Sequence, residues 1–209
     1  MTEKLMRYIE KQKKIENDVY DAIDEIAEEL KVRVPYYPEV YWVGRTLEFG
    51  QLGMREIERD EFENVKKFRG SVYVRAPGII LINKNSLIDK SEEATHFLHL
   101  NSSKIKLSNK SKLDWIAAVI MTEMFGFFGS KLIVPDRENP CKILPNFSPI
   151  QNIEVEVYQQ GYGLGERLFY SYVSGETKLE EIRKLFFDSF DRKYDASSAF
   201  LKLKQKFWS

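Results

Sequence analysis

Two histidines and a glutamate near the middle of the chain have the residue types and the spacing of a metal site. Glu92, His96 and His99 lie at positions i, i+4 and i+7, so a helix would place them on one face. The chain has 209 residues and only these 2 histidines. An imidazole and one or two carboxylates that converge in an apolar pocket can bind a divalent metal ion.

A further carboxylate, Glu123, lies in an apolar segment, where a charged side chain requires a partner. Its neighbours are Ile120, Met121, Met124 and Phe125. A buried carboxylate without a partner is costly, so we expect a metal, a proton or a cationic side chain beside it.

Each of these residues also has a purely structural explanation. Glu92 and Glu93 would be favoured by the helix dipole near the start of a helix. His96 would be a core histidine bonded to a backbone carbonyl, and His99 a surface residue. Glu123 would pair with a lysine or arginine of another element.

The elements that must position these side chains follow from hydrophobic periodicity and from proline and glycine. The pattern predicts a helix over 3–31, strands over 71–76 and 78–83, a short helix over 89–100, a strong helix over about 111–129, and two or three helices from 153 to 208, broken at Gly175 and near 191–195. Short strands or turns are expected over 45–70, and a long connection or lid over 130–152.

This order predicts an α+β fold: an N-terminal helix, a small mixed sheet with an edge strand, the helix with the histidines, and a helical C-terminal half. We expect one domain over 1–209, in which 1–110 holds the N-terminal helix, the sheet and the helix with the histidines, and 111–209 is a helical subdomain. The segment 115–134 is long enough to span a bilayer, but Glu123 near its middle favours a buried core helix.

A glycine-rich segment, YQQGYGLGERLFYSYVSG, occupies 158–175. No strand precedes these glycines, which argues against a phosphate loop. Close packing of Gly161, Gly163 and Gly165 against the histidine helix is the better prediction, with Tyr162 and Arg167 lining the same cleft.

The stretch VYVRAPGIILINKNSLIDKSEEATHFLHL resembles the active-site region of small zincin metallopeptidases of the gluzincin, minigluzincin type. In that family an edge strand precedes a helix that carries H-E-x-x-H, and a second helix supplies a glutamate. The five residues at this position are Glu-Glu-Ala-Thr-His, ending at His96, and the second helix offers Glu123. The motif is degenerate, because Glu92 replaces its first histidine.

Carried over by position, the resemblance implies that Glu92, His96 and Glu123 are metal ligands and that Glu93 is the general base. Two carboxylates and one imidazole form a harder, more anionic set than two imidazoles and a carboxylate. Such a set would bind zinc, or manganese or iron, and would make a metal-bound water less acidic. His99 is a possible substitute ligand.

Two functions therefore remain open. The first is a zincin-like protein, which would be either active or degenerate. An active protein would be a metal-dependent peptidase or hydrolase, with the substrate extended along an edge strand at GIILIN. A degenerate, non-catalytic relative would still bind a peptide or protein, and the loss of a ligand favours this version. The alternative is an interaction or regulatory protein that uses helix 3–31, with a structural His/Glu cluster.

Composition limits the partners. The charges balance at 32 Lys+Arg and 32 Asp+Glu, so no basic field predicts a nucleic-acid partner or a membrane surface. The single Cys141 excludes a disulfide framework and a cysteine-rich zinc site. The N-terminal sequence lacks the apolar core of a signal peptide, which favours a cytoplasmic location.

Overall fold

The computed structural model describes residues 3–42, 71–74, 78–102, 112–140, 153–185 and 205. The elements in chain order are α1 (Glu3–Leu30), β1 (Glu39–Trp42), β2 (Val72–Val74), β3 (Ile79–Ile82), α2 (Leu87–Ser102), α3 (Lys112–Ile133), α4 (Ile153–Val173) and α5 (Leu179–Arg183). The fold is mostly helical α+β, as predicted. The expected strands or turns of 45–70, the boundary at 110 and 111, most of the connection up to 152 and the break near 191–195 lie outside the described residues.

Helix α1 confirms the predicted amphipathic helix over its second half. The residues Ile15, Val19, Ile23, Ile26 and Leu30 are fully buried and belong to the hydrophobic core. The helix ends at Leu30 because Lys31 adopts a left-handed conformation with φ 51°.

The sheet has three described strands in the order β1-β3-β2. Strand β1 pairs parallel with β3, and β2 pairs antiparallel with β3, so the predicted mixed sheet is confirmed. The prediction that GIILIN forms the edge strand is wrong, because β3 lies between the other two and all four of its residues are buried. Among the described strands, β2 is the edge strand nearer to the histidine helix, since its Tyr73 borders the same cleft as His96.

Helix α2 begins at Leu87, two residues before the predicted start. The side chain of Ser86 explains this, because its Oγ accepts a hydrogen bond from the Asp89 backbone N–H at 3.0 Å and donates to Asp89 Oδ1 at 2.8 Å. Ser86 is thus the N-cap of α2, because its side chain accepts a hydrogen bond from the backbone N–H three residues later. It places Glu92 and Glu93 in the second turn of the helix, beyond the first turn where the helix dipole acts most strongly.

Helix α3 is the predicted core helix. The segment Ile116–Ile133 is long and apolar enough to cross a membrane, with a mean hydropathy of 1.5, but 67% of it is buried inside the protein. Its residues Met121, Met124, Phe125 and Phe128 are fully buried.

The glycines of α4 pack closely on α3, which carries Glu123, and not on the histidine helix as predicted. A Cβ on Gly161 would lie 2.5 Å from Glu123 Cβ, and one on Gly165 would lie 2.5 Å from the Met124 carbonyl oxygen. Gly163 faces open space. Helix α4 stops at Val173, and Gly175 with φ 79° makes the predicted break.

Candidate metal centre

The three predicted ligands converge between α2 and α3. Glu92 and His96 lie one turn apart on α2, and Glu123 projects from α3 toward them; one ligand atom of each lies within 4.8 Å of the others. This group could hold a metal ion. His99 lies elsewhere: it is fully buried, and its ring centroid is 4.5 Å from that of Phe125. The alternative that His99 is a surface residue is therefore wrong, and it does not belong to the group.

Two glycines on α3 let the helices approach closely enough for this convergence. A Cβ on Gly126 would lie 2.4 Å from His96 Cε1, and one on Gly129 would lie 2.1 Å from Thr95 Oγ1. Larger residues at either position would push α2 and α3 apart or turn these side chains. The small residues that bring the histidine helix close thus belong to α3, and sequence analysis had placed them on α4.

Glu92 has two further partners, and sequence analysis missed the more important one. Arg137 Nη2 donates to Glu92 Oε2 at 2.6 Å, and the hydroxyl of Tyr162 donates to Oε1 at 2.8 Å. The prediction that Tyr162 lines the cleft is confirmed, whereas Arg167 is exposed on α4 and does not line it. We expected a cationic side chain beside Glu123. The cation of this site, Arg137, forms its ion pair with Glu92.

Several contacts fix the position of Arg137. Its guanidinium donates to Ser130 Oγ and lies 4.4 Å above the ring centroid of Phe127. The buried ammonium of Lys131 donates to the Arg137 carbonyl oxygen at 2.9 Å and to the Pro135 carbonyl oxygen at 2.7 Å. Arg137 is only 6% exposed, so its position is set by the fold.

Glu93, the predicted base, is buried next to the ligand group. Burial raises its pKa well above the ordinary value, and the charges of Glu92 and Glu123 add to this effect. The backbone N–H of Tyr73 donates to the carboxylate and opposes the shift. Its Oε2 has no hydrogen-bond partner among the described residues. An acceptor with a raised pKa and a free oxygen is suited to take up a proton.

The electrostatic environment of the other two ligands suits metal binding. Burial lowers the pKa of His96, so the imidazole is neutral and can donate a lone pair. Burial, together with the charge of Glu92, raises the pKa of Glu123 to about 8. His96 Nδ1 is buried and has no hydrogen-bond partner among the described residues.

These groups open onto a cleft of about 570 Å³. The other residues that line it are Ser71, Tyr73, Lys84, Ile88, Asp89, Leu100, Thr122, Glu138, Pro140 and Tyr158. The cleft is large enough for several residues of an extended peptide or for a small molecule.

Comparisons of the chain with protein-family models, with curated proteins and with solved structures give no match.

Proposed function

We propose that the chain is a zincin-like protein of the gluzincin type that binds one divalent metal ion through Glu92, His96 and Glu123. The observation that carries this proposal is the convergence of three ligand atoms from two helices within 4.8 Å. The order of the elements supports it in part, since strands precede the helix with the degenerate motif and a later helix supplies the glutamate, although the strand directly before that helix, β3, is a central strand.

The donor set suits a divalent cation. Three carboxyl groups, those of Glu92, Glu93 and Glu123, line the cleft together with one neutral imidazole, and among the described residues Arg137 is the one cation in an ion pair with them. If all three carboxyl groups are ionised, two negative charges remain, and a divalent cation would neutralise them. Among the described residues, Glu93 Oε2 and His96 Nδ1 are buried without a hydrogen-bond partner, which supports a further ligand in this site.

A divalent cation in this position would polarise a substrate carbonyl and make a water molecule more acidic. Glu93 would accept the proton at its free Oε2 and hand it on to the leaving group. The hydroxyl of Tyr162 stays protonated, because burial and the neighbouring carboxylates raise its pKa, and it keeps Glu92 in place. An extended peptide would lie beside β2, the edge strand that borders the cleft.

A second function, a non-catalytic protein that binds a peptide or protein partner in the same cleft, is favoured by one specific observation. The Arg137–Glu92 ion pair gives the first ligand position a cation of its own, at 2.6 Å. If that pair makes the metal unnecessary, the cleft would be a binding site only.

Metal analysis of the purified protein tests the proposal. We expect about one equivalent of zinc, manganese or iron per chain, and loss of that metal in His96→Ala and Glu123→Ala. Glu138→Gln is the matched control, since Glu138 is an exposed carboxylate that lines the same cleft. No metal after supplementation with all three ions, in a folded protein, would refute the metal site.

A second measurement separates the two functions. If the protein is a peptidase, the metal-loaded chain cleaves casein, and Glu93→Gln retains the metal while it loses the cleavage. If metal binds but casein and a random peptide library remain intact, the non-catalytic function holds.

A further inference from the structure

The charge at position 92 distinguishes this site from a site with two imidazoles. A histidine in the first position of the motif would be a neutral donor, whereas Glu92 adds one negative charge. In this chain that charge is met by a guanidinium at 2.6 Å, and the two side chains are 12% and 5% exposed. Glu92 and Arg137 together carry no net charge, and in this respect they equal one neutral imidazole.

Arg137 is built into the fold as a fixed group. Lys131 anchors its backbone, Ser130 accepts a hydrogen bond from its guanidinium, and Phe127 packs against its flat face. Tyr162 lies on another side, with its ring centroid 5.3 Å from Cζ of Arg137. A buried cation with this many contacts is costly to place, so we expect a role beyond a surface ion pair.

We propose that Arg137 is the counter-charge of the metal site: by pairing with Glu92, it returns the Glu92, His96 and Glu123 set to the net charge of a set with two imidazoles and one carboxylate. This inference rests on the proposed function, since it assumes that the site binds a metal. With a divalent ion, both sets carry a net charge of one positive unit. Arg137 is a positioning residue in this account.

The proposal predicts that removal of the Arg137 guanidinium increases the affinity for the metal. A guanidinium beside the site repels a divalent cation, so its removal should strengthen metal binding. We expect Arg137→Gln to lower the zinc dissociation constant at least about tenfold, which corresponds to about 1.4 kcal/mol. A purely structural role for Arg137 predicts the opposite, because a loosened site would bind zinc more weakly.

The pairing also makes positions 92 and 137 depend on each other. In Glu92→His the guanidinium would lose its partner and lie unpaired beside the metal, so zinc binding should be weak. In the double variant Glu92→His/Arg137→Gln the net charge of the site is the same as in the wild type. We expect it to bind zinc at least about tenfold more tightly than Glu92→His alone.

The experiment is a zinc titration against a competing chelator for the wild type, both single variants and the double variant. Lys84→Gln, which removes an exposed cation from the same cleft, is the control and should change the affinity less than twofold. Circular dichroism of the metal-free proteins reports whether each variant folds. If Arg137→Gln does not fold, the comparison of Glu92→His with the double variant decides.

The outcomes are distinguishable. A wild type that binds no zinc, manganese or iron refutes the proposed function, and this inference with it. A wild type that binds zinc, combined with unchanged or weaker binding in folded Arg137→Gln, overturns the inference alone. Equal zinc affinities of Glu92→His and the double variant would also overturn it.

Discussion

The contact between Gly126 and His96 makes Gly126→Ala a direct test of whether His96 binds metal in the observed position. A Cβ on Gly126 would lie 2.4 Å from Cε1, 2.8 Å from Nε2 and 3.1 Å from Nδ1 of His96. Nonbonded carbon atoms are at their best separation at about 3.5–4.0 Å, so the imidazole must move by about 1 Å. It is enclosed on the other sides, since His96 is only 9% exposed.

A displacement of this size should weaken metal binding more than it lowers the free energy of unfolding. Metal–ligand distances tolerate only about 0.2 Å, so His96 would cease to be a ligand and zinc affinity should fall at least about a hundredfold. For stability, alanine gains about 1 kcal/mol over glycine in a helix, and overpacking costs about 1–3 kcal/mol. The free energy of unfolding should therefore fall by no more than about 2 kcal/mol.

The assay is a zinc titration with a competing chelator, combined with urea unfolding of the metal-free protein. Gly163→Ala is the matched control. Gly163 lies on α4, in another helix of the same core, and a Cβ there would have no other atom within 4 Å. We expect the control to bind zinc as the wild type does and to gain up to about 1 kcal/mol. A folded Gly126→Ala protein with wild-type zinc affinity would show that His96 is not a ligand in this geometry.

Two further predictions concern the stability of the protein itself. Because burial raises the pKa of Glu123 to about 8 in the folded state, its stabilising contribution is complete below about pH 4.5 and is lost as the pH rises toward 8. In urea unfolding of the metal-free protein, this carboxyl group alone should lower the free energy of unfolding by about 1.4 kcal/mol per pH unit over this range. Glu123→Gln should make the dependence less steep by that amount, while the raised pKa of Glu93 leaves a slope of the same sign. A metal-free wild type that becomes more stable from pH 5 to 8 would contradict this. Lys131→Met removes the buried ammonium that donates to the Pro135 and Arg137 carbonyl oxygens. In thermal unfolding this variant should lower the free energy of unfolding by about 2–4 kcal/mol. The control Lys178→Met, at an exposed position, should lower it by less than about 0.5 kcal/mol. Equal losses in the two variants would show that the Lys131 hydrogen bonds are not stabilising.

The elements that could be predicted are those whose pattern is local. The period of Ile15, Val19, Ile23 and Ile26 predicted α1, and the apolar run in GIILIN predicted a strand. The same apolar run did not tell an edge strand from a central one, because that depends on which segments pair with it on each side. Strand order is a property of the tertiary fold. Here β1 is the second neighbour of β3, and each residue of β1 pairs with a residue 40 positions later in the chain.

The ligand group was predictable for two reasons. Glu92 and His96 are one helical turn apart, so their proximity follows from local geometry. Glu123 stands out because a charge in an apolar helix needs a partner. Arg137 had no such signal: it lies 45 residues after Glu92, in an irregular segment between Pro135 and Pro140, and only the packing of that segment on α3 brings the two together.

The Arg137–Glu92 pair changes the meaning of the departure from the H-E-x-x-H pattern. Read alone, glutamate at position 92 is the loss of a ligand, and restoring histidine there should recover an ordinary zinc site. The structure shows that this single change would leave a buried guanidinium without its partner, which typically costs about 3–5 kcal/mol. A failed Glu92→His variant would therefore say nothing against the zincin resemblance, and only the change of both residues tests it.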